Sequence, residues 1–279
     1  MKKFQLSKDV YVKTVAIRVK DVEKMVNFYK NVLGFVLKLE ENNLSILGSQ
    51  EKNSRLLILE ETDTEDQVVG AFEKAFCFSL LIPTEEEFGS VLRRISSHQY
   101  PIERAVQSAN RRSVFIIDPE GNELEVSVQI AVNDGPDQQE TFSVQTLVHE
   151  SRVLYSSLSP EVHFDRLKIP MENRAGYFHF YKDILGMGTD QEHEEDLLLD
   201  NGGFVVHLDD SANVVSENRT DEETLGIDFF VIPLKNEEDM LKLKEHLERK
   251  QQEFFVDKKL TILTIFDPGK IEWWFVRNE

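Results

Sequence analysis

The sequence predicts an α+β chain of four tandem βαβββ units, two to a domain. Three observations lead there. Strands of alternating polarity flank amphipathic helices in a fixed order. That order occurs twice within the first 130 residues, and its landmarks return in the second half at a nearly constant spacing.

The first unit opens at residues 11–20, where Val15, Ile17 and Val19 share one strand face and Thr14, Ala16 and Arg18 the other. Asp21 is placed to cap a helix carrying Val22, Met25, Val26, Tyr29, Val32 and Leu33, and Gly34 ends it. Strands follow at residues 35–41, 43–47 and 55–60. The second unit begins with a strand at 76–82, Phe78, Leu80 and Ile82 on one face and Cys77, Ser79 and Leu81 on the other. Pro83 closes it, and Thr84 caps a helix whose apolar stripe is Phe88, Val91, Leu92 and Ile95. A strand at 102–106 leads to a hairpin. Its arms, 113–117 and 123–128, meet in the turn Asp118-Pro119-Glu120-Gly121-Asn122, where Pro and Gly supply the geometry. Leu124, Val126 and Val128 then share one face and Glu123, Glu125 and Ser127 the other.

Residues 129–158 are polar and irregular, with Asn133-Asp134-Gly135-Pro136-Asp137 near their start. They read as a linker containing a short strand at 142–148. Beyond them Phe28-Tyr29-Lys30-Asn31-Val32-Leu33-Gly34 returns as Phe180-Tyr181-Lys182-Asp183-Ile184-Leu185-Gly186. Phe28 to Phe180, Leu81 to Val231, Asp118 to Asp267 and Leu124 to Ile271 are separations of 152, 150, 149 and 147 residues. Such constancy marks a duplication, and the expected domains are residues 1–130 and 159–279 with 131–158 between them.

The 279 residues suffice for two cores, and a formal net charge of −19 speaks against nucleic acid or an anionic membrane surface as partner. Cys77 is the single cysteine, which excludes an intramolecular disulfide and fits a reducing compartment. With no apolar signal core after Met1-Lys2-Lys3, the expected location is the cytoplasm. No Gly-rich phosphate loop, dinucleotide fingerprint or nucleophile motif occurs.

In this order, and duplicated, Val19-Lys20-Asp21-Val22-Glu23 with Phe28-Tyr29, Val32-Leu33-Gly34-Phe35 and Asp118-Pro119-Glu120-Gly121-Asn122-Glu123-Leu124-Glu125 resemble the vicinal oxygen chelate superfamily. That superfamily holds glyoxalase I, bleomycin-resistance proteins and extradiol dioxygenases. The length is similar to its two-domain catechol-2,3-dioxygenase-like branch. The resemblance implies glyoxalase/dioxygenase-like domains whose paired units curl around a cleft. In the metalloenzymes the cleft holds a divalent cation (Fe, Mn or Zn) on residues of the first and last strands. Dioxygenases use two histidines and a carboxylate.

Carried over by position, the metal slots of the first half fall on Thr14, Ile58, Cys77 and Glu125. Those of the second half fall on Arg166, His207, Ile227 (or Asp228) and Glu272. Neither half supplies two histidines. Each candidate also has a structural reading: Glu125 as a salt-bridged strand carboxylate, Cys77 as a small core residue, and His207 with Glu272 and Arg166 as an internal ion pair in one cleft. In that last reading the Arg166 guanidinium takes the place of the lost cation and pairs with Glu272 or a bound anion. Trp273 and Trp274 point to opposite strand faces, so at most one lines a cleft.

The function expected is therefore a glyoxalase/dioxygenase-like protein with a degenerate metal centre that binds a small organic ligand in a domain cleft. An active metal-dependent ring-cleaving dioxygenase or glyoxalase-type lyase is the enzyme alternative. A third reading is an interaction protein, because residues 255–275 also resemble the CppA-type proteins of streptococci, described as complement-degrading proteinases. The oligomeric state, a homodimer among the options, stays open.

Overall fold

The computed structural model describes residues 4–6, 10–62, 76–131, 140–171, 173–190, 193–199, 202–210 and 225–277. Strand β1 (Thr14–Val19) delivers the chain to Asp21, whose side chain accepts the Lys24 amide at 2.9 Å and starts α1 (Val22–Asn27). The helix widens into a π-helical turn over Phe28–Leu33 and stops at Gly34. There φ is +89°, and a Cβ would run into the Arg94 guanidinium, so glycine is required on both counts. Strands β2 (Val36–Glu41), β3 (Leu44–Gly48) and β4 (Leu57–Glu61) form an antiparallel meander, with Leu47 facing Leu37 and Ile46 facing Ile58.

Strand β5 (Cys77–Ile82) precedes α2 (Glu85–Ser97), which Thr84 caps by accepting the Glu87 amide at 3.2 Å. Strands β6 (Arg104–Gln107), β7 (Arg111–Ile117) and β8 (Glu123–Gln129) follow. The spatial order is β5-β8-β7-β6, with β5 and β8 parallel and the rest antiparallel. Helix α2 covers the face that buries Phe78, Leu80, Leu124 and Val126.

The strand expected at 142–148 is not formed. A two-residue strand, β9 (Glu140–Thr141), pairs with β6, and α3 (Val144–Glu150) follows, capped by Ser143. Helix α3 buries no side chain fully, so its sequence carries no strong apolar stripe to mark it as a helix. Arg93 of α2 donates to Val148 O at 2.8 Å and to Ser151 O. Asn133 to Asp137 lie outside the described residues.

The second half repeats the plan: β10 (His163–Pro170), α4 (Arg174–Phe178) widening into a π-helical turn over His179–Ile184, then β11 (Gly188–Thr189), β12 (Asp196–Leu199) and β13 (Phe204–Asp209). The last unit comprises β14 (Gly226–Leu234), α5 (Glu237–Lys250), β15 (Phe255–Val256), β16 (Ile262–Phe266) and β17 (Glu272–Arg277). Strands β10 and β13 are parallel, as are β14 and β17. Helix α5 packs on β14 and β17 over Phe230, Ile232, Trp273 and Phe275. The π-helical widening thus falls on the same repeated sequence in both halves. No described helix is long and apolar enough to cross a membrane.

The chain forms two compact units. One takes in the described residues from 18 to 164 except Phe76; the other takes in those up to Ile17, Phe76, and those from Asp165 on. In the second unit the residue before β1 runs beside β14, Lys13 N donating to Val231 O at 2.9 Å.

Each unit is locked by the same buried pair. Asp118, 4% exposed, accepts the amides of Glu120 and Asn122 and the Asn122 side chain at 2.8–2.9 Å, and the Tyr29 hydroxyl at 3.2 Å. Asp267 accepts the Ile271 amide at 2.8 Å and the Tyr181 hydroxyl at 2.7 Å. Burial raises both tyrosines well above their ordinary value, and the neighbouring carboxylates add to the rise. Burial also raises Asp118, while its four hydrogen bonds pull it back.

Tyr29→Phe removes a donor that favours the charged carboxylate and is expected to cost about 1–3 kcal/mol. Because the substitution raises the folded-state value of Asp118 further, the cost should be smallest while Asp118 is protonated and grow as pH rises through its already raised folded-state value. Urea unfolding of both proteins at pH 3 and pH 7 checks this; equal costs at the two pH values would contradict it.

Candidate functional site

With α2 covering one face of β5–β8, the alternate residues form the other. The parallel register sets Cys77 beside Glu123, Ser79 beside Glu125 and Leu81 beside Ser127, while β7 brings Ser113 opposite Ser127 and Phe115 opposite Glu125. Glu125 therefore lies on the face away from the helix, only 6% exposed. A carboxylate so placed needs partners. Arg111 Nε lies 3.0 Å from Glu125 Oε1, and Ser113 Oγ donates to the same oxygen at 2.5 Å. Arg111 Nη2 donates to Ser79 Oγ at 2.6 Å, and Ser79 and Ser127 hydroxyls lie 3.4 Å apart. Toward the other end of this face Arg104 pairs with Glu123 at 2.9 Å and stacks 3.7 Å above the Phe115 ring.

The other slot residues of the first half are dispersed over several strands. Thr14 is buried at the start of β1, Ile58 is half-buried on β4, and Cys77 is buried at the start of β5. Arg111 and Ser113 were missed from sequence. The signal was available in part, since Arg111 and Ser113 alternate with Arg112 and Val114 on a strand that pairs with the Glu125 strand. Which of two adjacent arginines faces the carboxylate depends on the register, and the sequence does not state it.

In the second half His207 and Glu272 are not brought together. His207 stands on β13 in register with Lys168 of β10, and its Nδ1 lies 2.6 Å from Asp196 Oδ1. Glu272 belongs to β17, in a different sheet from β13, and its Oε2 accepts the Trp274 indole N–H at 2.6 Å. Arg166 is exposed on β10, so the expected Arg166–Glu272 pair is not made either. The physical reason is that the two modules of this half lay their strands into separate sheets, which parts the last strand of one from the last strand of the other. A guanidinium–carboxylate pair of the kind expected there exists instead at Arg111–Glu125. Among the described residues no three His, Cys, Asp or Glu side chains gather as a metal-binding group.

The strands of β14–β17 build a second candidate site. Their face away from α5 carries Phe229, Glu272, Trp274, Thr264, Ile262 and Phe266, and it encloses a cavity of about 490 Å³. Phe229 stacks on Trp274 at 4.7 Å, while Phe255 and Phe266, 62% and 56% exposed, stand at the rim. Trp273 is fully buried under α5, as its adjacency to a cleft-lining Trp274 requires. The β15–β16 turn that presents Phe255 is pinned by Asp257, which accepts the amides of Thr261 and Ile262 at 2.6 and 2.9 Å and the Thr261 hydroxyl at 2.8 Å. These bonds, the Ile262 amide foremost, hold Asp257 down to about 2.

A depressed carboxylate contributes stability above its ordinary value of 3.8 and loses it as pH falls through about 2. Asp257→Asn should therefore melt below the native chain at pH 5, with the gap closing between pH 4 and about pH 2. Thermal melts across that range check it; a gap independent of pH would contradict it.

The geometry has counterparts among known proteins. Residues 11–126 match the Glyoxalase/Bleomycin resistance protein/Dioxygenase superfamily, and residues 161–275 match the CppA C-terminal family. The chain is 23% identical over 258 residues to the catechol-2,3-dioxygenase of Bacillus subtilis strain 168, covering 84% of this chain and 86% of that protein. Its fold resembles the crystal structure of the cppA protein from Streptococcus pneumoniae TIGR4. That comparison gives a TM-score of 0.61 at 16% identity, over 98% of this chain and 99% of the other. It also resembles glyoxalase I from Zea mays, with a TM-score of 0.58 at 14% identity over 96% and 92% of the two chains. Residues 11–126 thus carry a domain of the Glyoxalase/Bleomycin resistance protein/Dioxygenase superfamily.

Proposed function

We propose that this protein binds a small organic ligand in the aromatic cleft of β14–β17, and that in residues 11–126 an internal cation, Arg111, fills the place beside Glu125 where relatives hold a metal ion. The observation that carries the second half of this reading is the Arg111 Nε contact with Glu125 Oε1 at 3.0 Å, made inside a cluster of serine hydroxyls.

The donor set does not fit a divalent cation at the superfamily position. Ile58 has no donor atom, the hydroxyl of Thr14 is a poor substitute for imidazole, and Glu125 Oε1 already accepts two hydrogen bonds. An incoming ion would also meet the guanidinium charge. Cys77 is a ligand type, but its strand register places it beside Glu123 rather than Glu125. For the same reason no reaction step is assigned to Fe, Mn or Zn.

The cleft suits an aromatic guest bearing a hydrogen-bond donor. Trp274 and Phe266 offer ring faces, and Phe255 closes the rim. The Trp274 indole fixes Glu272 through Oε2, which leaves Oε1 to accept from the guest. The kinship with a catechol-2,3-dioxygenase supports a phenolic guest.

Two measurements test the two halves. Treatment with a chelator should leave the melting temperature unchanged, whereas Arg111→Met should cost about 3–5 kcal/mol by leaving Glu125 buried without its cation. Stoichiometric Fe, Mn or Zn that is lost on Glu125→Gln would sink the internal-cation reading. Naphthalene-2,3-diol should quench Trp274 fluorescence saturably. Phe266→Ala should weaken it roughly three- to tenfold, matching the ~0.5–1.5 kcal/mol of one aromatic contact. Undiminished affinity in that variant would place the guest elsewhere.

A further inference from the structure

The basic side chains of this acidic protein are not evenly spent. Beside the π-helical end of α1, the C-terminal end of α2 and the start of β2 lies a cavity of about 570 Å³. Lys30, Arg94 and His98 line it, along with Asn31, Ser156 and Ser157. No carboxylate lines it. Its floor is apolar, made by Phe35, Val36 and Leu37.

Basic residues at helix C-termini ordinarily answer the helix dipole and the unpaired last carbonyls. Arg94 does so: its guanidinium donates to Leu33 O at 2.9 Å and to Tyr155 O, tying the end of α1 to the segment after α3. Burial pushes Arg94 down, and the nearest opposing charge, Glu87, is itself engaged by the Ser159 amide and hydroxyl at 2.8 and 2.7 Å. Lys30, in the last turn of the π-helical segment, and His98, the C-cap of α2, stand near the same helix ends but are not tied down as Arg94 is. Both are exposed, and among the described residues neither side chain makes a hydrogen bond or ion pair. In a chain with 51 Asp and Glu against 32 Lys and Arg, a lysine and a histidine without a side-chain partner, lining one carboxylate-free hollow with an arginine, are well placed for an anion.

We infer that this hollow is an oxyanion site, for a small molecule carrying a phosphate or carboxylate group on an apolar body. Lys30 and His98 donate to the anion, Arg94 sets the local field from a fixed position, and Asn31, Ser156 and Ser157 supply neutral donors. The apolar part of the guest rests on Phe35, Val36 and Leu37. The site is separate from the aromatic cleft and does not depend on it: the hollow is built from α1, α2, β2 and residues 156–157, the cleft from β14–β17.

The test is calorimetric titration of the full chain with phenyl phosphate and with benzoate at constant ionic strength. The comparison is with the Lys30→Gln, His98→Gln double variant. Both positions are exposed, so the double variant keeps its fold, which its melting curve verifies. One saturable site for either probe, weakened about tenfold or more in the double variant as the loss of charge-assisted hydrogen bonds requires, is the expected result. Binding of phenyl phosphate alone assigns the site to phosphate esters, of benzoate alone to carboxylates. Unchanged affinity in the double variant, or no saturable binding of either probe, overturns the inference.

Discussion

The interaction on which the rest of the structure depends is a carboxylate kept away from water at the turn before the last strand of a domain half. Asp118 organises its own turn through the amides of Glu120 and Asn122, and reaches Tyr29 on the helix of the preceding module. The same turn fastens the start of that module, because Glu120 Oε1 accepts the amides of Lys20 and Asp21 at 2.8 and 2.9 Å. Two modules are thereby bolted together by one five-residue turn. Asp267 and Tyr181 repeat the bolt in the other half. A buried charge of this kind is held by the hydrogen bonds that occupy its lone pairs. The direction in which β8 leaves the turn, and hence the face on which Glu125 lies, follows from it.

Much of this was legible in the sequence, for identifiable reasons. Alternation fixed the faces of β5 and β8, because one face of each strand had to meet a helix; Leu124, Val126 and Val128 are fully buried and Glu125 lies opposite them. Caps at Asp21 and Thr84 and the stop at Gly34 are local chemistry, readable within four residues. The partner of Glu125 was not legible. The slots carried over from the resemblance placed a guanidinium at Arg166 beside Glu272, a pair that is not made; the ion pair that is made joins Arg111 and Glu125. Such a pair depends on which strands are neighbours, and neighbours are set by tertiary packing. Helix α3 was missed for a related reason, since Arg93 from α2 supplies what its own sequence lacks.

Replacing a coordinated ion by a guanidinium changes what such a fold is able to do. A metal ion holds open positions that a substrate enters, whereas a planar cation bonded to Glu125 and Ser79 is already committed in direction. On the proposed reading the first half of the chain has exchanged reactivity for rigidity. The same reading assigns binding to other surfaces, the aromatic face around Trp274 and the basic hollow around Lys30. Helix-covered strand faces and the Tyr–Asp bolts hold the scaffold together without calling on an ion.

The hydrogen bond from Lys13 to Val231 joins positions about 220 residues apart. The backbone just before β1 is therefore satisfied only once β14, some 218 residues further along, has been made. During translation this edge is open, with its amides unpaired and a long stretch of chain still to emerge. Fastening this edge therefore depends on a contact of very long sequence separation, which no local folding step supplies.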